Sequence, residues 1–133
     1  MRVQEIMSTP VRAVRPQESA VRALQLMKTS NVHHLIVQDG KSVIGVVSSR
    51  DIAVATAGNR NVSVGEVMSD DLVTATPTMT VRQAANRMRG RNIGSLPVLD
   101  GAKLVGIVTI SDLLELIGRG LERRAATPRR TRP

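Results

Sequence analysis

Apolar residues in this chain follow two periods in turn, and the whole succession is written twice. Ala20, Ala23, Leu24 and Met27 recur at the spacing of one helical face, as do Val81, Ala84, Ala85 and Met88. Thr80-Val-Arg-Gln83 has the spacing of a capping box, and Ser19 stands at the corresponding start, so helices are expected from Ser19 and Thr80. Runs of strand character follow. His34–Gln38 and Ser42–Val47 flank Asp39-Gly40, and Ser95–Leu99 and Lys103–Val108 flank Asp100-Gly101, which predicts two hairpins with Asp-Gly turns. Helical spacing resumes over 49–57 and 110–121. Ahead of each first helix come a short helical turn (Val3–Met7, Val64–Met68) and a brief strand (Val11–Val14, Leu72–Ala75) ending at Pro16 or Pro77. Ser63 lies three residues before Glu66, again a capping-box spacing.

A shift of 61 positions, the separation of Asp51 and Asp112, lays one succession on the other without gaps from Ile6/Val67 to Ile52/Leu113. Met7/Met68, Pro16/Pro77, Met27/Met88, Asn31/Asn92, Leu35/Leu96, Gly45/Gly106 and Asp51/Asp112 are identical pairs. The expected fold is α/β (α+β): two pseudo-symmetric repeats, each roughly β-α-β-β-α, packed through their sheets. The expected organisation is repeat one over 1–60, repeat two over 61–121 with Gly58-Asn-Arg-Asn61 as linker, and a tail over 122–133. A unit of some 60 residues is marginal alone, so two are expected to share one core.

Composition changes the picture in three ways. The chain has no Phe, Tyr or Trp, so its core is built from aliphatic residues, methionine and alanine, and a bound base finds no aromatic ring to stack on. It has no cysteine, which excludes disulfide and thiol chemistry. The net charge of +8 is concentrated at one end, where residues 119–133 hold six arginines against Glu122. That tail is expected to be disordered, as a solubilising end or a contact for RNA, acidic protein or membrane phosphates. No apolar run approaches the ~20 residues of a membrane span. Met1-Arg-Val-Gln-Glu leads straight into the first repeat, giving the expectation of no signal peptide and a cytoplasmic location.

The chemistry-bearing motif is Ser48-x-x-Asp51, repeated as Thr109-x-x-Asp112, at a strand-to-helix corner. Free backbone N–H groups and the positive helix end suit an anion there. The hydroxyl can bind a phosphate oxygen, and the carboxylate can accept hydrogen bonds from both hydroxyls of a ribose. The same spacing also describes a plain capping box, and duplication copies caps as readily as sites. Local chemistry leaves both readings open. Gly45 and Gly106, just upstream, would let another strand or a ligand approach the backbone closely.

These residues resemble the cystathionine-β-synthase (CBS) domain, and residues 3–118 resemble a stand-alone tandem pair of them, a Bateman module. The likeness is carried in repeat two by Val67-Met-Ser, Pro77 with Thr80-Val81, Ile93-Gly-Ser-Leu-Pro-Val98, and Leu104-Val-Gly-Ile-Val-Thr-x-x-Asp112. Repeat one departs from it with Ile36 where the family usually has proline and Ser48 where threonine is commoner. The resemblance implies binding of adenosine compounds (AMP, ADP, ATP, S-adenosylmethionine, sometimes NAD or cyclic dinucleotides) in two clefts between the repeats. It implies Ser48 with Asp51, and Thr109 with Asp112, as the phosphate and ribose holders, and Val32, Val46, Ile93 and Ile107 as the apolar lining for adenine. His33 matches a position near phosphate in some members, with Gly94 as its counterpart. Arg50 could add a charge for a polyphosphate, where repeat two has Ser111. A homodimer formed through the helices is also implied.

Other signals are weaker. On a strand, adjacent His33 and His34 point to opposite faces, which disfavours a shared metal. Gly40-Lys-Ser42 lacks the upstream glycine of a P-loop. Arg87, Arg89 and Arg91 suit the end of a helix. No nucleophile has a base beside it, so an enzyme is not expected. No cofactor is required; an adenine nucleotide is expected as regulatory ligand, with an effector protein reading its binding. The alternative is an RNA- or protein-binding adaptor acting through residues 123–133, with vestigial clefts.

Overall fold

The computed structural model describes residues 1–57 and 60–120. The expected tail over 122–133 and part of the linker lie outside the described residues. Among the described residues the chain forms two compact units, one comprising Val11–Val73 and the other Met1–Pro10 with residues 74–120.

In the Val11–Val73 unit, β1 (Ala13–Val14) runs parallel to β2 (His34–Asp39), which pairs antiparallel with β3 (Ser42–Ser48). Helix α1 (Ala20–Ser30) starts at Ser19, whose hydroxyl accepts the Arg22 amide, and stops at Asn31 in the left-handed region at φ 56°. Asparagine tolerates that conformation and so serves as a C-terminal stop. Helices α2 (Ser49–Ala55) and α3 (Val64–Val67) complete the unit. Its core is aliphatic: Val14, Ala20, Ala23, Met27, Leu35, Val37, Val47, Ile52, Val62 and Val64.

The other unit holds a 3-10 turn (Val3–Glu5), α4 (Val81–Arg91), the hairpin β4 (Ser95–Asp100) and β5 (Lys103–Thr109), and α5 (Ile110–Arg119). Val3, Ala75, Ala84, Met88, Leu96, Val98, Val108 and Leu116 are among its buried side chains. α4 repeats the logic of α1, with a Thr80/Gln83 capping box and a left-handed Asn92 stop at φ 53°.

Two sequence expectations are corrected. The hairpin loops are Gly40-Lys41 and Gly101-Ala102, because Asp39 and Asp100 still pair with Ser42 and Lys103; each glycine takes φ +63°. The strand expected over Leu72–Ala75 contracts to one parallel bridge, Ala75 with Val98. The reason is Pro97. At the matching place in repeat one the Ile36 amide donates to Arg12 O at 3.2 Å, and proline has no N–H to do the same.

The sequence repeats and the compact units divide the chain differently. The leader of each repeat folds into the unit that holds the other repeat's hairpin. Val3 N donates to Met79 O at 2.8 Å and Gln4 N to Pro77 O at 3.0 Å; in the same register, Val64 N donates to Glu18 O and Gly65 N to Pro16 O, both at 2.8 Å. Further on, the leaders reach the outer edges of the hairpins. Ser8 exchanges backbone hydrogen bonds with Ile107 (2.8 and 3.3 Å), and Ser69 does so with Val46 (2.9 and 3.2 Å). The close approach is possible because both hairpins carry glycine there. A Cβ on Gly45 would stand 2.6 Å from Ser69 O and 2.8 Å from Met68 Sδ; one on Gly106 would stand 2.5 Å from Met7 Sδ.

These contacts differ in how far they can yield, since the first includes a backbone carbonyl and the second only a flexible side chain. Gly45→Ala is therefore expected to destabilise the protein by about 1–3 kcal/mol, the usual cost of overpacking. Gly106→Ala should cost clearly less. Paired urea-unfolding midpoints check the order, and equal midpoints would contradict it.

Candidate functional site

Two corners emerge from this scaffold, one in each compact unit. In the first, β3 ends at Ser48, whose hydroxyl accepts the Asp51 amide at 3.1 Å and so starts α2. The Ser49 amide donates to His33 O at 2.9 Å, tying the corner to the turn after α1. Val32, His33, Val46, Ser48, Arg50 and Asp51 all belong to this unit. Val32 is half-buried and packs partly on the core, Val46 is half-buried on β3, and His33, Arg50 and Asp51 are exposed. Among the described residues, the carboxylate of Asp51 accepts no hydrogen bond and Arg50 has no ion-pair partner.

The second corner has the same backbone and a different side-chain state. Thr109 opens α5 in a full capping box. Its amide donates to Asp112 Oδ2 at 2.8 Å, its hydroxyl donates to the same oxygen at 3.1 Å, and the Asp112 amide returns to Thr109 Oγ1 at 3.3 Å. The Ile110 amide donates to Gly94 O at 3.1 Å, as Ser49 does to His33. Ile93, Gly94, Ile107, Thr109 and Asp112 are all half-buried in this unit. The other oxygen of Asp112, Oδ1, accepts the hydroxyl of Ser8 at 2.9 Å.

Each leader therefore adds residues to a corner that its own repeat does not supply. Ser8 lies against Ile107 and Asp112 with Met7 on Gly106; Ser69 lies against Val46 with Met68 on Gly45. Sequence reasoning did not assign these residues to the corners, although Met7/Met68 and Ser8/Ser69 are identical at the repeat spacing.

It weighed His34 only as a metal ligand beside His33. This half-buried residue pairs across the hairpin with Ser48, and its pKa lies below the ordinary 6.5 chiefly because burial penalises the charged ring. The neighbouring His33 pushes in the same direction and Asp51 opposes both. The corresponding position in repeat two is Ser95, which is buried opposite Thr109. Among the described residues no group of His, Asp and Glu could hold a metal ion, and no helix is long and apolar enough to cross a membrane.

Comparison with known proteins places this architecture. The model of the CBS domain matches twice, over residues 3–58 and 64–119. The chain belongs to the CBS domain family. A CBS domain-containing protein of Bacillus subtilis, YhcV, is 36% identical over 114 residues, covering 84% of this chain and 81% of its own length. A homoserine O-acetyltransferase of Methanosphaerula palustris is 36% identical over 120 residues, but the chain spans only 24% of that enzyme. Among solved structures, the CBS domain pair of protein MJ0100, in complex with 5′-methylthioadenosine and S-adenosyl-L-methionine, is similar with a TM-score of 0.83 at 31% identity, covering 90% of this chain and 97% of that one. The chain is thus a CBS pair with two corners of like backbone and unlike side-chain commitment.

The unfolded chain takes a proton at His34 more readily than the fold does. Stability is therefore complete above pH 6.5 and falls as the pH drops below it. Glu66, whose carboxyl is held below its ordinary 4.5 first by the Ser63 amide, acts only at lower pH. Between about pH 7 and 5.5 the thermal midpoint should fall in the wild type. It should fall less in His34→Ser, which installs the repeat-two residue; equal slopes would remove His34 from the account.

Proposed function

We propose that this CBS pair is a regulatory module that binds an adenosine-type ligand at the Ser/Thr-x-x-Asp corners and passes the event to a partner protein. The observation that carries the reading is the Asp51 corner: an exposed carboxylate without a hydrogen-bond donor, beside the Ser48 hydroxyl, with Arg50 and His33 exposed next to it. Asp51 would accept the vicinal hydroxyls of a ribose. Ser48, Arg50 and His33 would meet phosphate, and Val32 and Val46 would offer aliphatic surface to adenine. In repeat two Asp112, Thr109, Ile93, Ile107 and Gly94 hold the matching positions, without the cation, which favours more phosphates at the Arg50 corner. The similar MJ0100 pair, solved with two adenosine derivatives, supports this class of ligand. It leaves AMP, ADP, ATP, S-adenosylmethionine and NAD as the compounds to test.

A sensor fits these residues, because at both corners the hydroxyl is held in a helix cap. Signalling requires that the ligand bind two arrangements of the protein unequally, the difference in binding energy being what a partner reads. A homodimer fits as well. α5 leaves Ile110, Leu114 and Ile117 between 50% and 62% exposed at helical spacing, where repeat one has Ser49, Ala53 and Thr56. An apolar stripe of that kind is suited to burial against another surface. The proposed setting is the cytoplasm.

Thermal shift against AMP, ADP, ATP, S-adenosylmethionine and NAD tests the proposal directly. A ligand at 100 times its Kd should add about 2.7 kcal/mol to stability. Asp51→Ala should weaken the best ligand at least about tenfold, the loss of charge-assisted hydrogen bonds. A flat response to the whole panel would sink the reading.

A further inference from the structure

We propose that Ser8 is a specificity-determining residue: its hydroxyl occupies a ligand-hydroxyl position on Asp112, so that the Asp112 corner accepts a single hydroxyl while the Asp51 corner accepts a vicinal pair. The inference rests on the adenosine-binding reading and deepens it.

The argument is an account of lone pairs. An ionised carboxylate offers about four acceptor sites, two on each oxygen. On Asp112, Oδ2 already accepts the Thr109 amide at 2.8 Å and the Thr109 hydroxyl at 3.1 Å, and Oδ1 accepts the Ser8 hydroxyl at 2.9 Å. One site remains. A ribose presenting both its 2′ and 3′ hydroxyls needs two. On Asp51 the corresponding sites are open: Ser48 makes no capping box, and Ser69 donates no hydroxyl to the carboxylate. Backbone placement does not account for the difference, since Ser69 exchanges the same pair of backbone bonds with Val46 that Ser8 exchanges with Ile107. It lies in the side chains. Thr109 turns the Asp112 carboxylate into the cap, which fixes Oδ2 inward and leaves Oδ1 for the leader.

Two consequences separate the corners. A vicinal diol should favour the Asp51 corner over a deoxy analogue, and the Asp112 corner should hardly distinguish them. Removing the Ser8 hydroxyl should return a second acceptor site to Asp112 and restore the preference there. It should also loosen the leader, because the hydroxyl is one of the bonds that hold residues 1–10 against β5 and α5.

The test uses the full chain and two probes, AMP and 2′-deoxy-AMP, by titration calorimetry. In Asp51→Asn, where the Asp112 corner acts alone, both probes should bind with similar affinity. In Asp51→Asn with Ser8→Ala, AMP should gain about three- to tenfold over 2′-deoxy-AMP, the worth of one hydrogen bond. If the added Ser8→Ala leaves the ratio unchanged, or weakens AMP, Ser8 is not a placeholder and the inference falls while nucleotide binding stands. If no variant and no wild-type protein binds either probe, and the wider adenosine panel is flat as well, the adenosine-binding reading falls instead. The hold on Asp112 is then judged by amide hydrogen exchange alone. Faster exchange of the Ser8 and Ile107 amides in Ser8→Ala, with Ser69 and Val46 unmoved in Ser69→Ala, supports it; equal behaviour of the two overturns it.

Discussion

At Gly45 the backbone of one segment lies so close to another that a single added carbon would meet the Ser69 carbonyl oxygen at 2.6 Å. That approach, and its counterpart of Met7 on Gly106, decides where each leader runs. Everything at the corners follows from it. Once a leader pairs with the outer edge of a hairpin, its serine sits opposite the residue two before the Ser or Thr that opens the helix, and its buried valine, Val3 or Val64, anchors the other end. An aliphatic core without aromatic rings gains its hydrophobic stabilisation from many small side chains. The leader valines belong to the fully buried set and so contribute directly.

Much of this was legible in the sequence because it depends on local rules. Helix starts at Ser19, Thr80 and Thr109 follow from side chains that satisfy terminal backbone groups. Hairpin pairing follows from alternation, although the loops sit one residue later than Asp-Gly suggested. What self-similarity could not reveal is partnership. A shift of 61 positions finds equivalent residues, but equivalence does not say which copy of a leader packs beside which hairpin. Nor did the pattern foretell the loss of the strand at Leu72–Ala75, a consequence of one missing amide on Pro97.

The corners themselves show why a cap and a binding site are hard to tell apart in sequence. Both need a hydroxyl and a carboxylate three residues apart at a helix start. At Thr109 the two groups bond to each other and to the backbone, in full accord with a cap. At Ser48 the hydroxyl caps while the carboxylate stays open. The motif carries the parts, and its neighbours decide how they are used: threonine against serine, Ser95 against half-buried His34, Ser111 against Arg50.

The crossed leaders give the duplication an odd grammar, in which the unit that is copied is not the unit that closes. A segment cut out as the repeat is written, residues 1–60, would carry a Val3 shaped for a groove it does not possess, and would leave the glycine edge of its own hairpin bare. Two such pieces could complete one another only by trading ends, in the manner of a swapped dimer. Joined in one chain, the trade becomes intramolecular and no second molecule is needed to finish either core.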